Sequence, residues 1–223
     1  MVYFEKKYPA PSSLEKECLK PNGSYKGEDV LNKLHDNFYN KCYICESKDL
    51  ESINIEHFAP HKKINNIRKF NWSNLFWACS HCNQIKSDTE PLLNCTIKDD
   101  RVDENIRYYI NDDLYEDKVV IESIVSSIEI ENTVELLHKV YHGTTIQNKF
   151  QAREKRNKIY DELCDFTNYI QKYNRIEDER KKKQLFEVIK NELSNESAFT
   201  AFKRWIIRDN QALTQQFQQY IGD

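Results

Sequence analysis

The sequence predicts an α+β fold in which a small cysteine-rich unit is followed by a short β-hairpin and a mainly α-helical C-terminal half. Three observations lead to this prediction. Two Cys-x-x-Cys pairs enclose a short segment, residues 53–55, in which apolar and polar residues alternate as they do in a strand. Residues 105–110 and 119–124 have the composition of two further strands. From residue 132 onward, apolar residues recur mostly at helical spacing. These patterns divide the 223 residues into segments 1–37, 38–95 and 96–223.

The N-terminal segment, residues 1–37, is a leader with one predicted helix at about residues 29–38, preceded by a turn at Asn22-Gly23.

The composition of the whole chain excludes several classes of protein. With 33 Lys and Arg against 36 Asp and Glu, the chain is not uniformly basic, and this balance does not exclude a local basic surface. It contains no run of about 18 apolar residues, so we expect no membrane-spanning helix and a cytoplasmic location.

Seven cysteines are the feature of the composition that most needs an explanation. Their odd number and the lack of a secretion signal argue against a disulfide framework. Cys42 with Cys45, and Cys79 with Cys82, form two pairs that can complete a tetrahedral site. We therefore predict a structural Zn²⁺ ion held by four thiolates. Two alternatives stay open: the pairs are buried, unreactive thiols, or His81 replaces one cysteine as a ligand.

The interval between the two pairs is longer than a plain zinc ribbon requires. It contains 33 residues, whereas about 15–20 are common in such ribbons. The strand at 53–55 leads into Glu56 and His57, a polar loop is expected at 61–71, and residues 72–77 return the chain to the second pair. After Cys82, Asn83 lies in the predicted first turn of a helix that stops by Pro91.

These residues include the groups that metal-dependent hydrolysis requires. Glu56 and Asn83 supply oxygen ligands of the kind that Mg²⁺ or Mn²⁺ prefers, and His57 can accept a proton from water. No acidic residue lies between Glu56 and Asp88, while five Lys and Arg do, which suits a phosphate backbone. The candidates for nucleic-acid contact are His61, Lys62, Lys63, Arg68, Lys69 and Lys86.

The C-terminal segment, residues 96–223, is predicted to begin with a hairpin. Its strands at 105–110 and 119–124 are joined by a turn at 111–113, and a third strand is expected at 127–130. Asn132 is the predicted N-cap of the next helix and Gly143 its end. Amphipathic patterns at 146–173 and beyond predict a helical bundle. This segment has no recognisable catalytic motif, so we expect it to dock a partner or clamp the substrate.

The cysteine-rich unit resembles the HNH, or ββα-metal, nuclease family. The similarity rests on Glu56-His57-Phe58-Ala59-Pro60, on Ser73-Asn74-Leu75 and on Cys79-Ser80-His81-Cys82-Asn83-Gln84-Ile85-Lys86. It implies a zinc-stabilised ββα-metal fold in which His57 is the general base. It also implies that Glu56 and Asn83 bind the catalytic Mg²⁺ or Mn²⁺, and that Asn74 orients the loop through backbone hydrogen bonds. Glu56 stands where the family more often has Asp, and Asn83 is a variant of the usual His.

Further similarities extend to one group within that family. Cys42-Tyr43-Ile44-Cys45-Glu46, Trp72-Ser73-Asn74-Leu75 and the opening Phe4-Glu5-Lys6 are similar to the PtuB-type HNH nuclease of Septu and retron-associated bacterial antiphage defence. This resemblance implies an endonuclease that hydrolyses DNA phosphodiester bonds as a defence effector. It also implies a PtuA-like ATPase subunit as partner, which we expect to dock on the helical half.

The main alternative is a zinc-ribbon module that binds nucleic acid or protein without catalysis. It explains the cysteines and the basic interval but leaves Glu56, His57 and Asn83 as coincidence. Metal-dependent cleavage separates the two functions. Two residue assignments also stay open. His61 either contacts phosphate or lies on the surface, and Asn71 competes with Asn74, although only Asn74 precedes a leucine.

Overall fold

The structure, a computed structural model, describes residues 1–48, 50, 52–62, 66–111 and 118–222. It is a mixed α+β protein with two small two-stranded sheets and a helical C-terminal half, which confirms the predicted fold class at this level. Two predictions fall outside the described residues. These are the nucleic-acid contact by Lys63 and most of the turn at 111–113, of which residues 112 and 113 are not described.

The helices and strands follow in chain order. In the first half they are α1 (Ser12–Cys18), α2 (Glu28–Asn37), β1 (Ile53–His57), α3 (Asn66–Phe70), a 3₁₀ turn (Trp72–Asn74), β2 (Leu75–Cys79), α4 (Ser80–Lys86) and a 3₁₀ turn (Lys98–Asp100). In the second half they are β3 (Ile106–Asn111), β4 (Lys118–Ser123), α5 (Ile128–His142), α6 (Ile146–Arg175), α7 (Glu179–Glu192), α8 (Thr200–Arg208), α9 (Gln211–Phe217) and a 3₁₀ turn (Gln218–Tyr220).

The first sheet and the helix that follows it place the candidate site residues. β1 and β2 pair antiparallel, with Ile53 opposite Cys79 and His57 opposite Leu75. β2 is buried along its whole length, and β1 becomes buried toward His57. Because α4 begins directly after β2 and runs back along the sheet, its last residue, Lys86, reaches Glu56 at the end of β1.

The second half corrects two predictions about local structure. The third strand expected at 127–130 is wrong, because Ser127 caps α5: its hydroxyl accepts a hydrogen bond from the Ile130 backbone nitrogen at 3.3 Å. Asn132 is therefore not the N-cap. It lies inside α5 and donates to the Pro91 carbonyl at 2.9 Å. The end predicted at Gly143 is confirmed, since Gly143 is the C-cap residue with φ of 72°, where a side chain would be strained.

Two short helices arise where none was predicted. α1 lies in the N-terminal segment, and α3 lies inside the polar loop expected at 61–71. Each is only a few residues long, too short for the apolar periodicity that reveals a longer helix. Packing determines both: α1 buries Leu14 and α3 buries Phe70.

A single cluster of buried side chains includes residues from all three predicted segments. From the N-terminal segment it contains Val2 and Phe4, which are 0% and 1% exposed. It continues through the cysteine-rich unit to Leu137 and Phe202 in the C-terminal segment. A second cluster is formed by α6 to α9 around Phe166 and Phe217. The division at residues 37 and 95 stays a prediction, while the main core spans both of these positions.

Candidate functional site

The four paired cysteines converge inside the protein. Cys42 and Cys45 lie in a turn before β1, Cys79 ends β2, and Cys82 lies in α4. Their sulfur atoms all lie within 4.8 Å of one another, and each of the four residues is buried. A tetrahedral Zn²⁺ with Zn–S bonds of about 2.3 Å needs sulfur atoms about 3.8 Å apart, and the Cys45 and Cys79 sulfurs are 3.9 Å apart. This cluster could hold a zinc ion.

The surroundings of the sulfur cluster suit a four-thiolate site. A tetrathiolate zinc centre carries two net negative charges, and Lys155 of α6 places its Nζ 3.5 Å from Cys79 Sγ. Although burial opposes it, the thiolates raise the pKa of Lys155, so its ammonium stays charged. His81 does not face the sulfurs, since its Nε2 lies 2.9 Å from the Val140 carbonyl oxygen and its Nδ1 2.8 Å from Gln151 Oε1. The alternative in which His81 replaces a cysteine is therefore wrong.

A buried ion pair anchors the first cysteine pair to distant parts of the chain. Glu46, directly after Cys45, is 1% exposed and lies 3.3 Å from Lys41 Nζ and 2.8 Å from the Met1 amino group. Although burial opposes it, these cations lower the pKa of Glu46 to about 2. Lys41 also donates to the carbonyls of Asn195 and Ser197, at 2.8 and 2.7 Å.

A cleft opens beside the first sheet where β1 ends and α4 runs past it. It has a volume of about 550 Å³ and is lined by Glu56, His57, Pro60, His61, Lys62, Asn83, Ser87 and Asp88. The predicted metal ligands Glu56 and Asn83 and the predicted base His57 are thus brought together. Among the described residues, no group of three or more acidic, histidine or cysteine side chains converges here, so a bound Mg²⁺ or Mn²⁺ would keep several water or substrate ligands.

Lys86 lies in the protein interior behind Glu56 and does not line the cleft itself. Its Nζ donates to Glu56 Oε1 at 2.9 Å and to the His57 carbonyl at 3.1 Å. Burial raises the pKa of Glu56, and the Lys86 ammonium opposes this shift. Since the Lys86 side chain is 0% exposed, the prediction that it contacts nucleic acid is wrong.

The hydrogen bond of His57 determines which of its ring nitrogens can act as a base. Nε2 lies 3.0 Å from the Lys69 carbonyl oxygen, which can only accept, so Nε2 carries the proton. Nδ1 then has a free lone pair, and it has no hydrogen-bond partner among the described residues. Burial lowers the pKa of His57 to about 4, and the neighbouring His61 contributes to this shift. The imidazole is therefore neutral near pH 7, and its Nδ1 lone pair is available to accept a hydrogen bond from water.

Asn74 holds the loop that follows β1. Its Nδ2 donates to the carbonyls of Ala59 and Arg68, at 2.8 and 3.0 Å, and its Oδ1 accepts from the Ala59 backbone nitrogen at 2.7 Å. Asn71 lies on the protein surface and only caps the 3₁₀ turn, accepting from Ser73 at 3.0 Å. Of the two candidates, Asn74 is therefore the one whose side chain bonds the backbone of this loop.

The remaining basic candidates differ in their surroundings. Lys62 and His61 line the cleft, and the His61 ring lies 4.4 Å from the His57 ring. Arg68 is directed to the Pro60 carbonyl at 3.1 Å and to Glu90 at 3.5 Å. Lys69 donates to the Gly23 carbonyl at 3.0 Å. Lys62 and His61 are thus the described candidates that remain positioned to meet a phosphate in the cleft.

Three residues at the site were not identified from the sequence. Ser87 and Asp88 line the cleft just beyond the last motif residue. Tyr25, from the segment between α1 and α2, packs its ring edge-on against His57, with 4.6 Å between the ring centres. The proximity of Asp88 to the motif was a usable signal in the sequence, whereas nothing local indicated that Tyr25 would reach His57.

Comparison of the chain with family models, with curated proteins and with solved structures finds no match. Among the residues that the structure describes, no helix combines the length and the apolar character needed to cross a membrane.

Proposed function

We propose that the chain is a metal-dependent HNH endonuclease that hydrolyses DNA phosphodiester bonds. The observation that carries this proposal is the position of His57. Its Nδ1 lone pair is free in a cleft that also contains Glu56 and Asn83, because Nε2 is used by the Lys69 carbonyl. The order of β1, β2 and α4 around a four-cysteine cluster supports assigning a zinc-stabilised ββα-metal unit to this part of the chain.

In the proposed reaction, each residue of the site would have a separate role in phosphodiester hydrolysis. His57 Nδ1 takes a proton from the water that attacks phosphorus, and the Nε2–H bond to Lys69 holds the ring in the required tautomer. Glu56 and Asn83 would hold Mg²⁺ or Mn²⁺, which supplies charge stabilisation at the phosphate and at the leaving 3′ oxygen. Asn74 fixes the loop that follows Glu56 and His57 at the end of β1. The zinc on the four cysteines would be structural.

We infer from the sequence similarity that the nuclease acts as the effector of a bacterial antiphage defence system beside a PtuA-like ATPase. Among the described residues, those that line the cleft all come from the cysteine-rich unit, which leaves the surface of the helical half for a partner. Co-expression with a PtuA-like ATPase tests this part. We expect the two chains to co-purify in a fixed ratio, and full activity without any ATPase would contradict it.

Incubation of supercoiled plasmid with the zinc-loaded protein tests the nuclease function. We expect nicking with Mg²⁺ or Mn²⁺, none with EDTA, and loss of cleavage by about 10³-fold or more in His57→Ala, because the base is removed. His35→Ala is the matched control, since His35 is an exposed histidine paired with Asp36. Cleavage by His57→Ala at the wild-type rate would refute the proposal.

The same experiment separates the nuclease from the alternative of a binding module. A zinc-ribbon binder would retain DNA in a gel-shift assay in the presence of EDTA and never nick it. A parallel incubation with RNA of the same sequence establishes which nucleic acid is the substrate.

A further inference from the structure

The buried ammonium of Lys86 has a contact that the proposed mechanism does not use. It donates to Oε1 of Glu56 at 2.9 Å from the protein interior behind the cleft. Its other partner is the His57 carbonyl at 3.1 Å, so both acceptors belong to the end of β1. Glu56 Oε2 has no hydrogen-bond partner among the described residues, and Glu56 lines the cleft. The two oxygens of one carboxylate therefore differ: one is tied to a cation inside the protein and the other is free.

We propose that Lys86 is a positioning residue that holds one oxygen of Glu56, leaves the other for a divalent cation, and weakens the binding of that cation through its own positive charge. This inference rests on the proposed function of Glu56 as a metal ligand. A carboxylate that has one oxygen held by a cation offers the other oxygen more readily, which favours the single-oxygen coordination common for Mg²⁺.

The charges around the cleft support the second part of the inference. Among the described residues, the carboxylates of Glu56 and Asp88 and the ammonium of Lys62 line the cleft, and Lys86 pairs with Glu56 from behind, so the formal charges of these four groups cancel. A divalent cation that enters this neutral site gains little from long-range attraction. The phosphate of a bound nucleic acid would add the missing negative charge and further oxygen ligands. Removal of the Lys86 charge alone should therefore strengthen metal binding in the absence of substrate.

Calorimetric titration of Mn²⁺ into the zinc-loaded protein, without nucleic acid, tests this inference. Lys86→Gln removes the charge but keeps an N–H donor for Glu56. We expect it to bind Mn²⁺ about tenfold more tightly than the wild type, while it cleaves plasmid more slowly because Glu56 is less firmly held. Lys62→Gln is the matched control, since it removes one charge from an exposed position. Solvent screens that charge, so we expect a change of less than about threefold.

A second pair of variants guards against a misfolded protein. In Lys86→Gln with Glu56→Gln, the gain in affinity should disappear, because the ligand itself is lost. Lys86→Arg keeps the charge and should bind Mn²⁺ with wild-type affinity even if Lys86→Gln fails to fold. A Lys86→Gln protein that folds, keeps its zinc and binds Mn²⁺ no more tightly than the wild type would overturn the inference. So would a tenfold gain in Lys86→Arg.

The outcomes for Lys86 and for the proposed function can be told apart. The Mn²⁺ affinity is measured without any substrate. It therefore tests the role of Lys86 whether or not the wild-type protein cleaves DNA. Failure of the wild type to cleave any nucleic acid would refute the nuclease function alone.

Discussion

Replacement of Asn74 by alanine tests how the loop after β1 is held in place. The side chain makes three hydrogen bonds, two as a donor to Ala59 and Arg68 and one as an acceptor from Ala59. Each such bond contributes about 1 kcal/mol net. The loss of all three should lower the free energy of unfolding by about 3 kcal/mol. With a urea dependence of about 2 kcal/mol per molar, the unfolding midpoint should fall by about 1.5 M.

Two further variants separate the hydrogen bonds from a general effect of mutation. Asn74→Asp keeps the acceptor but turns an oxygen toward two carbonyls, so we expect a loss of stability at least as large. Asn71→Ala removes a cap on the protein surface three residues away and should cost less than about 1 kcal/mol. Hydrogen exchange at the Ala59 amide should accelerate only in the Asn74 variants. Equal losses of stability for Asn74→Ala and Asn71→Ala would refute the reasoning.

Three other predictions concern the zinc cluster, the buried ion pair and the base. Cys79→Ser should reduce the bound zinc from one ion per chain to well below one and lower the melting temperature. Metal analysis measures the zinc content, and an unchanged content would exclude a four-cysteine site. Glu46→Ala removes the carboxylate that neutralises the buried Lys41 ammonium. It should lower the free energy of unfolding, measured in urea, by about 3–5 kcal/mol. A loss below about 1 kcal/mol would contradict the burial of this pair. Because burial lowers the pKa of His57 to about 4, its ring should stay neutral in an NMR titration down to pH 5. The unfolded chain takes up this proton near pH 6.5, so the contribution of His57 to stability should fall as pH drops from about 6.5 to 4. A His57 titration midpoint above pH 6 would contradict this environment.

The sequence predicted best those features that depend on local spacing. The spacing of the two cysteine pairs predicts the sulfur cluster. The alternation of apolar and polar residues over 53–55 predicts β1, which extends to His57. Residues 105–110 and 119–124 correspond to β3 and β4 with shifts of one residue. Ser127 shows the limit of this reasoning: its flanking isoleucines suit a strand as well as a helix, and the hydroxyl cap decides the outcome.

Features that depend on long-range packing could not be read from the sequence. Lys86 has the same charge as Lys62, yet one is fully buried against Glu56 and the other lies at the rim of the cleft. Only the path of α4 along the sheet distinguishes them. Tyr25 reaches His57 across more than 30 residues of sequence because α2 packs against β2 and Lys69 binds the Gly23 carbonyl.

The anchoring of the first cysteine pair also has a consequence for biosynthesis. Lys41 donates to carbonyl groups 154 and 156 residues later in the chain. A contact of such sequence separation cannot form until that later segment has left the ribosome. Glu46 likewise accepts from the Ala201 backbone nitrogen at 3.3 Å. The first cysteine pair thus stays without its full support until residues 195–201 have been synthesised.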